Sequence, residues 1–279
     1  MKTLVRTACL LAALGTSVTS AHLDGTDAAA QRATMVARIR DSVRRAASTA
    51  DDVYMERALK VIGRIPRERF VPEKYRGESY GDTPLPIGYD QTISDAYVVA
   101  VMTAAAHIPE HGTALDVGTG SGYQAAVLAG LTDRVFSIEI VQPLAKTAKA
   151  RLAALNFHNV DVRAGDGFAG WPEHAPFDAI IVAAGAAKVP QPLLDQLKPG
   201  GRIVMPIGPS WAQEQILVIT KEESGKTTRC SLGWAMFVPL TGQGARDRGT
   251  AGLYDTATPL CYGSPVSWPE LKSAATPPR

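Results

Sequence analysis

The chain has 279 residues, of which 46% are apolar and 20% charged, and its formal net charge is only +2. This composition excludes a disordered or fibrous chain and suffices for one substantial core. No Lys/Arg run interleaved with aromatics offers a groove for phosphates, so no nucleic-acid partner is expected.

Residues 1–21 have the order of an export signal: basic Lys2 and Arg6, the apolar stretch 8–15, then small residues through Ser20 and Ala21. Cleavage near Ala21 would leave the periplasm or the exterior as destination; without a functional leader the chain stays cytoplasmic. No stretch approaches the ~18 apolar residues of a membrane span, so no stable membrane insertion is expected. Cys9 lies in the leader, leaving Cys230 and Cys261, which can pair in an oxidising compartment or remain free thiols. The five histidines show no ligand spacing, and no metal site is assigned.

Residues 28–62 are rich in Ala, Arg and Val and predict one or two helices ending near Gly63 and Pro66. The prolines and glycines of 71–91 predict a loop. Beyond Thr92, Val98, Val101, Met102 and Ala105 fall on one helical stripe. From residue 113 short apolar runs alternate with helical stretches. Strands are predicted at 113–117, 134–139, 160–163, 178–183, 202–207, 215–220 and 228–239. Helical connections make the first five parallel; the turn-like Lys221–Lys226 makes the last two an antiparallel hairpin. The Gly/Pro/Ser/Thr-rich residues 244–279 read as an irregular C-terminal extension. The domain expectation is therefore a leader (1–21), a catalytic domain (28–243) and the extension (244–279).

The most informative segment is LDVGTGSGYQAAVLAGL (115–131), a strand, three glycines (Gly118, Gly120, Gly122) and a helix. Glycines permit a sharp turn and close approach of a ligand to the backbone, although a tight strand-to-helix turn alone also uses them. A dinucleotide fingerprint needs its third glycine at position 123, which is Tyr123. The spacing GxGxG favours S-adenosylmethionine (AdoMet), a nucleoside cofactor without phosphate. Two acids at strand ends strengthen this reading. Glu139 stands where a carboxylate accepts hydrogen bonds from ribose hydroxyls, and Asp166 faces the same crevice, placed to contact adenine.

With these residues in view, segments 69–94 (RFVPEKYRGESYGDTPLPIGYDQTIS), 115–131, 158–185 and 237–242 (FVPLTG) resemble the protein-L-isoaspartate O-methyltransferase family. The similarity runs from about residue 35 to 242. The glycine loop alone indicates the superfamily; LPIG…QTIS indicates the family. The resemblance implies an α/β fold: a doubly wound, mostly parallel, seven-stranded Rossmann-like methyltransferase sheet with N-terminal helices. It implies Ser94 as the active-site residue, and cofactor contacts from Gln91, Thr92, Ile93, Ser94, Gly118, Gly120, Gly122, Glu139, Asp166, Gly167 and Thr241. It places Phe237, Val238, Pro239 and Leu240 beside the substrate peptide. Isoaspartyl proteins or peptides become the partners, and a monomer is expected. Departures are Asp95-Ala96 after TIS, where the family usually has a small or amide residue and proline, together with the leader and the long tail. The family is mainly cytosolic.

The reaction so implied is transfer of a sulfonium methyl to a free α-carboxylate. Such a group, with a pKa of roughly 3.5, is ionised near neutrality and needs no general base. Ser94 would orient it; spacing alone makes Ser94, or Thr92, equally a helix N-cap. Asp95 brings a negative charge beside the carboxylate subsite. Two alternatives therefore stand: a same-fold methyltransferase for a small molecule or another protein carboxylate, and an exported binding protein without turnover.

Overall fold

A computed structural model of the protein describes residues 25–46, 52–208, 214–243 and 258–262. The leader (1–21) lies outside the described residues, as does the extension apart from 258–262. No described helix is long and apolar enough to cross a membrane.

Helices α1 (Gly25–Ala46) and α2 (Val53–Ile62) precede two 3-10 turns at Arg67–Phe70 and Glu73–Glu78. Asp52 starts α2, its carboxylate accepting the amides of Tyr54 and Met55 at 2.9 and 3.4 Å. Residues 71–91, expected as loop, contain more structure. Strand β1 (Leu85–Gly88) pairs antiparallel with β2 (Gln91–Ile93) through a turn at Tyr89 and Asp90, whose φ values are 57° and 56°. Two successive left-handed residues give the twist a tight hairpin requires.

Helix α3 (Ala96–Ala105) is buried nearly all round, as its almost wholly apolar sequence dictates. Its N-cap is neither Ser94 nor Thr92. Asp95 accepts the Tyr97 amide at 2.6 Å.

The remaining elements form one sheet: β3 (Thr113–Val117), β4 (Arg134–Glu139), β5 (Val160–Ala164), β6 (Phe177–Val182), β7 (Leu197–Ile207), β8 (Glu214–Lys221) and β9 (Thr227–Ala235). Their order is β5-β4-β3-β6-β7-β8-β9, parallel through β7 and antiparallel thereafter. Helices α4 (Tyr123–Ala129), α5 (Gln142–Ala154) and α6 (Gln191–Asp195) make the crossovers. Side chains of the buried strands alternate between two cores. Ala114, Val135 and Ile181 join α2–α4 on one face, while Leu115, Phe136 and Ile180 pack with Phe177 and Leu193 on the other.

Two strand boundaries differ from expectation. β7 begins at Leu197, because Leu197 pairs with Phe177 ahead of an irregularity that brings Ala179 opposite Arg202. β9 ends at Ala235, not at residue 239. Glu214 accepts the Phe237 amide at 3.0 Å, the Gly185 amide donates to Val238 O at 2.9 Å and the Leu240 amide donates to Gly185 O at 2.7 Å. The chain thus leaves the edge and crosses the C-terminal end of β6, a route on which Pro239 need donate nothing. Of the tail, 258–262 lies along β9: the Ser231 amide donates to Pro259 O at 2.8 Å and the Cys261 amide to Ser231 O at 2.9 Å. Cys230 and Cys261 form a disulfide, with Cα atoms 4.9 Å apart. The β9 edge of the sheet is thereby covered around Ser231.

Candidate active site

The chain runs β3 to β5 toward one edge, then returns with β6 to the other side of β3. Such a reversal opens a crevice at the C-terminal strand ends, which is where ligands bind open α/β sheets. A cleft lies there. Its floor is Gly118–Ser121, one wall is Gln91–Ser94 with Val98, Val99 and Met102 of α3, another is Glu139–Val141 with Gly167, and Phe237–Thr241 lies across it.

The floor is shaped by backbone geometry. Gly118 has φ +94°, which an L side chain rarely adopts, and donates to Ile138 O at 2.8 Å. Glu139 is 5% exposed, and its two oxygens accept the Gly120 amide at 2.7 Å and the Val141 amide at 2.9 Å. Each carboxylate oxygen retains a further acceptor position, so Glu139 is fixed as a hydroxyl-accepting group in the wall. Gly167 fits tightly against β3: a Cβ there would clash with Val117 Cγ1.

Of the residues singled out from sequence, Gln91, Thr92, Ile93, Ser94, Gly118, Gly120, Glu139, Gly167, Phe237, Val238, Pro239, Leu240 and Thr241 line this one cleft. Gly122 and Asp166 do not. Gly122 faces α5, where an added Cβ would meet Leu152 and Ala148. The Asp166 carboxylate is turned into a brace, accepting the Phe168 amide at 2.9 Å and the Gln243 amide at 2.7 Å, and so ties the end of FVPLTG to the loop after β5. Asp95 is also occupied, its carboxylate capping α3.

Sequence reading passed over two groups. Arg67 is fully buried behind the cleft and donates to Ser94 O at 2.6 Å. Nothing local marks it, since its partners lie 12 to 27 residues away. Asp116 sits inside LDVG beneath the glycine loop. Ser137 donates to its Oδ2 at 2.7 Å, and Oδ1 has no partner among the described residues. Burial first, then the charge of Glu139, push its pKa up to about 7, against the Ser137 bond.

The folded pKa of Asp116 lies above the unfolded value, so the native state keeps a proton that the unfolded chain releases, and stability falls as pH rises from about 4 to 7. Each pH unit in that window costs up to about 1.4 kcal/mol from this group. Asp116→Asn is expected to show a visibly flatter melting-temperature profile between about pH 5 and 7 than the wild type. Parallel profiles would mean that Asp116 stays ionised throughout.

Among the described residues that line the cleft, the ionisable side chains are Glu139 and Tyr123, and Tyr123 is 1% exposed. Among the described residues no Lys, His, Arg or Asp faces the space. Residues 45–245 match the family model described as protein-L-isoaspartate(D-aspartate) O-methyltransferase. The chain belongs to this family. A relative from Syntrophobacter fumaroxidans, named protein-L-isoaspartate O-methyltransferase 2, is 48% identical over 214 residues, covering 76% of this chain and 87% of its own. A solved protein-L-isoaspartate O-methyltransferase superposes with a TM-score of 0.67 at 25% identity, covering 76% of this chain and 67% of its own. A Plasmodium falciparum structure of the same description, in complex with S-adenosyl-L-homocysteine, gives a TM-score of 0.60 at 22% identity over 73% of this chain and 97% of its own, a likeness of fold. The seven-stranded methyltransferase sheet expected from sequence is the observed one.

Proposed function

We propose that this protein methylates the free carboxylate of L-isoaspartyl residues in damaged proteins or peptides, with AdoMet as methyl donor. The observation that carries the reading is a methyltransferase cleft whose described lining holds no Lys, His, Arg or Asp, and whose one carboxylate, Glu139, is engaged by two backbone amides. A hydroxyl, amine or ring acceptor must lose a proton; an α-carboxylate has already lost it at neutral pH. When bound, AdoMet supplies an electrophilic methyl on a sulfonium. The cradle fits it: Gly118 and Gly120 admit a ligand against the backbone, and Glu139 accepts ribose hydroxyls with its orientation fixed by two amides. Apolar Val98, Val99 and Met102 exclude water from the wall beside Ser94.

Ser94 orients the acceptor carboxylate by a hydrogen bond, and Phe237–Leu240 takes the peptide alongside. Because Asp95 supplies the cap, Ser94 is released from that duty. The same engagement of Asp95 weakens the case for a different acceptor. Rate enhancement then comes from alignment of acceptor and methyl in a water-poor cleft, a source worth several kcal/mol. Ser94→Ala is expected to lower kcat about tenfold while leaving AdoMet affinity and melting temperature unchanged. Full turnover in this variant would remove Ser94 from the acceptor subsite.

We further propose that residues 1–21 direct export and are removed. Their order of basic, apolar and small residues supports this, as does the Cys230–Cys261 bond, since such bonds persist in oxidising compartments. The reaction class is tested by incubating the protein with methyl-labelled AdoMet and an isoaspartyl peptide. Label should enter the peptide as a base-labile ester; label stable to base would contradict carboxylate transfer.

A further inference from the structure

Arg67 opens the 3-10 turn Arg67–Phe70 and is 0% exposed. Taking a guanidinium out of water costs several kcal/mol, and the cost is offset only where its donors are used. Nε donates to Ser79 O at 2.8 Å, Nη2 donates to Ser94 O at 2.6 Å, and the guanidinium lies 4.7 Å over the Tyr123 ring. Nη1 has no hydrogen-bond partner among the described residues. Burial pushes the Arg67 pKa down, while Tyr123 and Asp95 act in the opposite direction.

The contacts join two parts of the cleft that the sequence keeps apart. Ser94 ends the segment on the acceptor side, and Tyr123 begins α4 directly behind the glycine loop; both line the cleft. We propose that Arg67 is a positioning residue for methyl transfer, holding the Ser94 backbone against the Tyr123 ring and so fixing the acceptor subsite relative to the donor subsite. This rests on the reading of Ser94 given above. The guanidinium is suited to the task because its planar fork serves two carbonyls while its charge lies over a ring. Lysine keeps the charge but is a point donor. Methionine fills the space and leaves the Ser79 and Ser94 carbonyls unpaired.

The test measures kcat and peptide KM with an isoaspartyl peptide, AdoMet Kd by calorimetry, and the thermal midpoint, for wild type, Arg67→Met and Arg67→Lys. Misplacing a reacting group by about 1 Å costs up to a hundredfold in rate. Arg67→Met is expected to lose about thirtyfold in kcat and Arg67→Lys about tenfold, with peptide KM and AdoMet Kd within about threefold of wild type. A purely structural arginine would lower the midpoint and leave turnover intact at temperatures well below it. A kcat within about twofold of wild type in either folded variant, or a loss of turnover fully accounted for by weaker AdoMet binding, overturns the proposal. Should Arg67→Met fail to fold, Arg67→Lys decides on the same criterion. Failure of the wild type itself to methylate the peptide overturns the functional reading, and this proposal with it.

Discussion

Replacing Glu139 by alanine is expected to weaken AdoMet binding about a hundredfold. The carboxylate is nearly buried and held by the Gly120 and Val141 amides, so its remaining acceptor positions are fixed in the cleft wall and the proposed ribose would meet them without any reordering of the side chain. Two charge-assisted hydrogen bonds are worth about 1.5 kcal/mol or more each, and about 2.8 kcal/mol is a factor of one hundred in Kd. The alanine variant also leaves the Gly120 amide without its acceptor, loosening the loop on which the cofactor rests. Glu139→Gln retains the shape but exchanges one acceptor for a donor, and should lose about tenfold. Calorimetric titration with AdoMet checks both. Affinity equal to wild type in Glu139→Ala would take Glu139 out of the cofactor site.

Breaking the Cys230–Cys261 bond is expected to lower stability by about 3 kcal/mol, the second large effect. The two cysteines are 31 residues apart, so the bond removes much of the freedom of a long loop in the unfolded chain. It also fastens residues 258–262 along β9, where Tyr262 reaches the carboxylate of Asp52 at 3.4 Å and links the tail to the start of α2. Cys230→Ser should shift the denaturant midpoint downward, and reductant should shift the wild type to the same place. AdoMet affinity should not change, because the bond lies on β9 ahead of Ala235 and, in the segment that follows β9, the cleft-lining residues begin at Phe237. Equal midpoints for oxidised wild type and variant would show that the bond does not constrain the chain.

The sheet was legible because its strands are short apolar runs, buried on both faces and separated by helical stretches, and the glycine loop with Glu139 announced the crevice at its C-terminal edge. The β1–β2 hairpin was not, since Pro84, Pro86 and Gly88 look like loop residues and its turn uses Tyr89, an unusual choice for positive φ. The end of β9 was misjudged for a related reason. Phe237, Val238 and Leu240 are as apolar as a strand, and only the tertiary pull of Glu214 and Gly185 takes them over the cleft.

Side-chain roles were harder to read than positions. Asp166 stands at the expected strand end, yet its oxygens serve the amides of Phe168 and Gln243, a use set by a partner 77 residues away. Asp95, read as a charge beside the substrate, is also the cap of α3, and that cap resolves the ambiguity over Ser94 and Thr92. Arg67 was passed over because arginine is ordinarily a surface residue. Its burial comes from Ser79, Ser94 and Tyr123, none of them its neighbours in the chain.

Discrimination of an isoaspartyl carboxylate is measured with two peptides identical except for one linkage, isoaspartyl in one and aspartyl in the other. Each is incubated at equal concentration with the protein and labelled AdoMet, and initial rates of ester formation are compared. The account predicts rapid transfer to the isoaspartyl peptide and at least about a hundredfold slower transfer to its twin, the discrimination expected when only one of the two presents its carboxylate at Ser94 in reacting geometry. Equal rates on the two peptides, or transfer to neither by a protein that binds AdoMet, would contradict it.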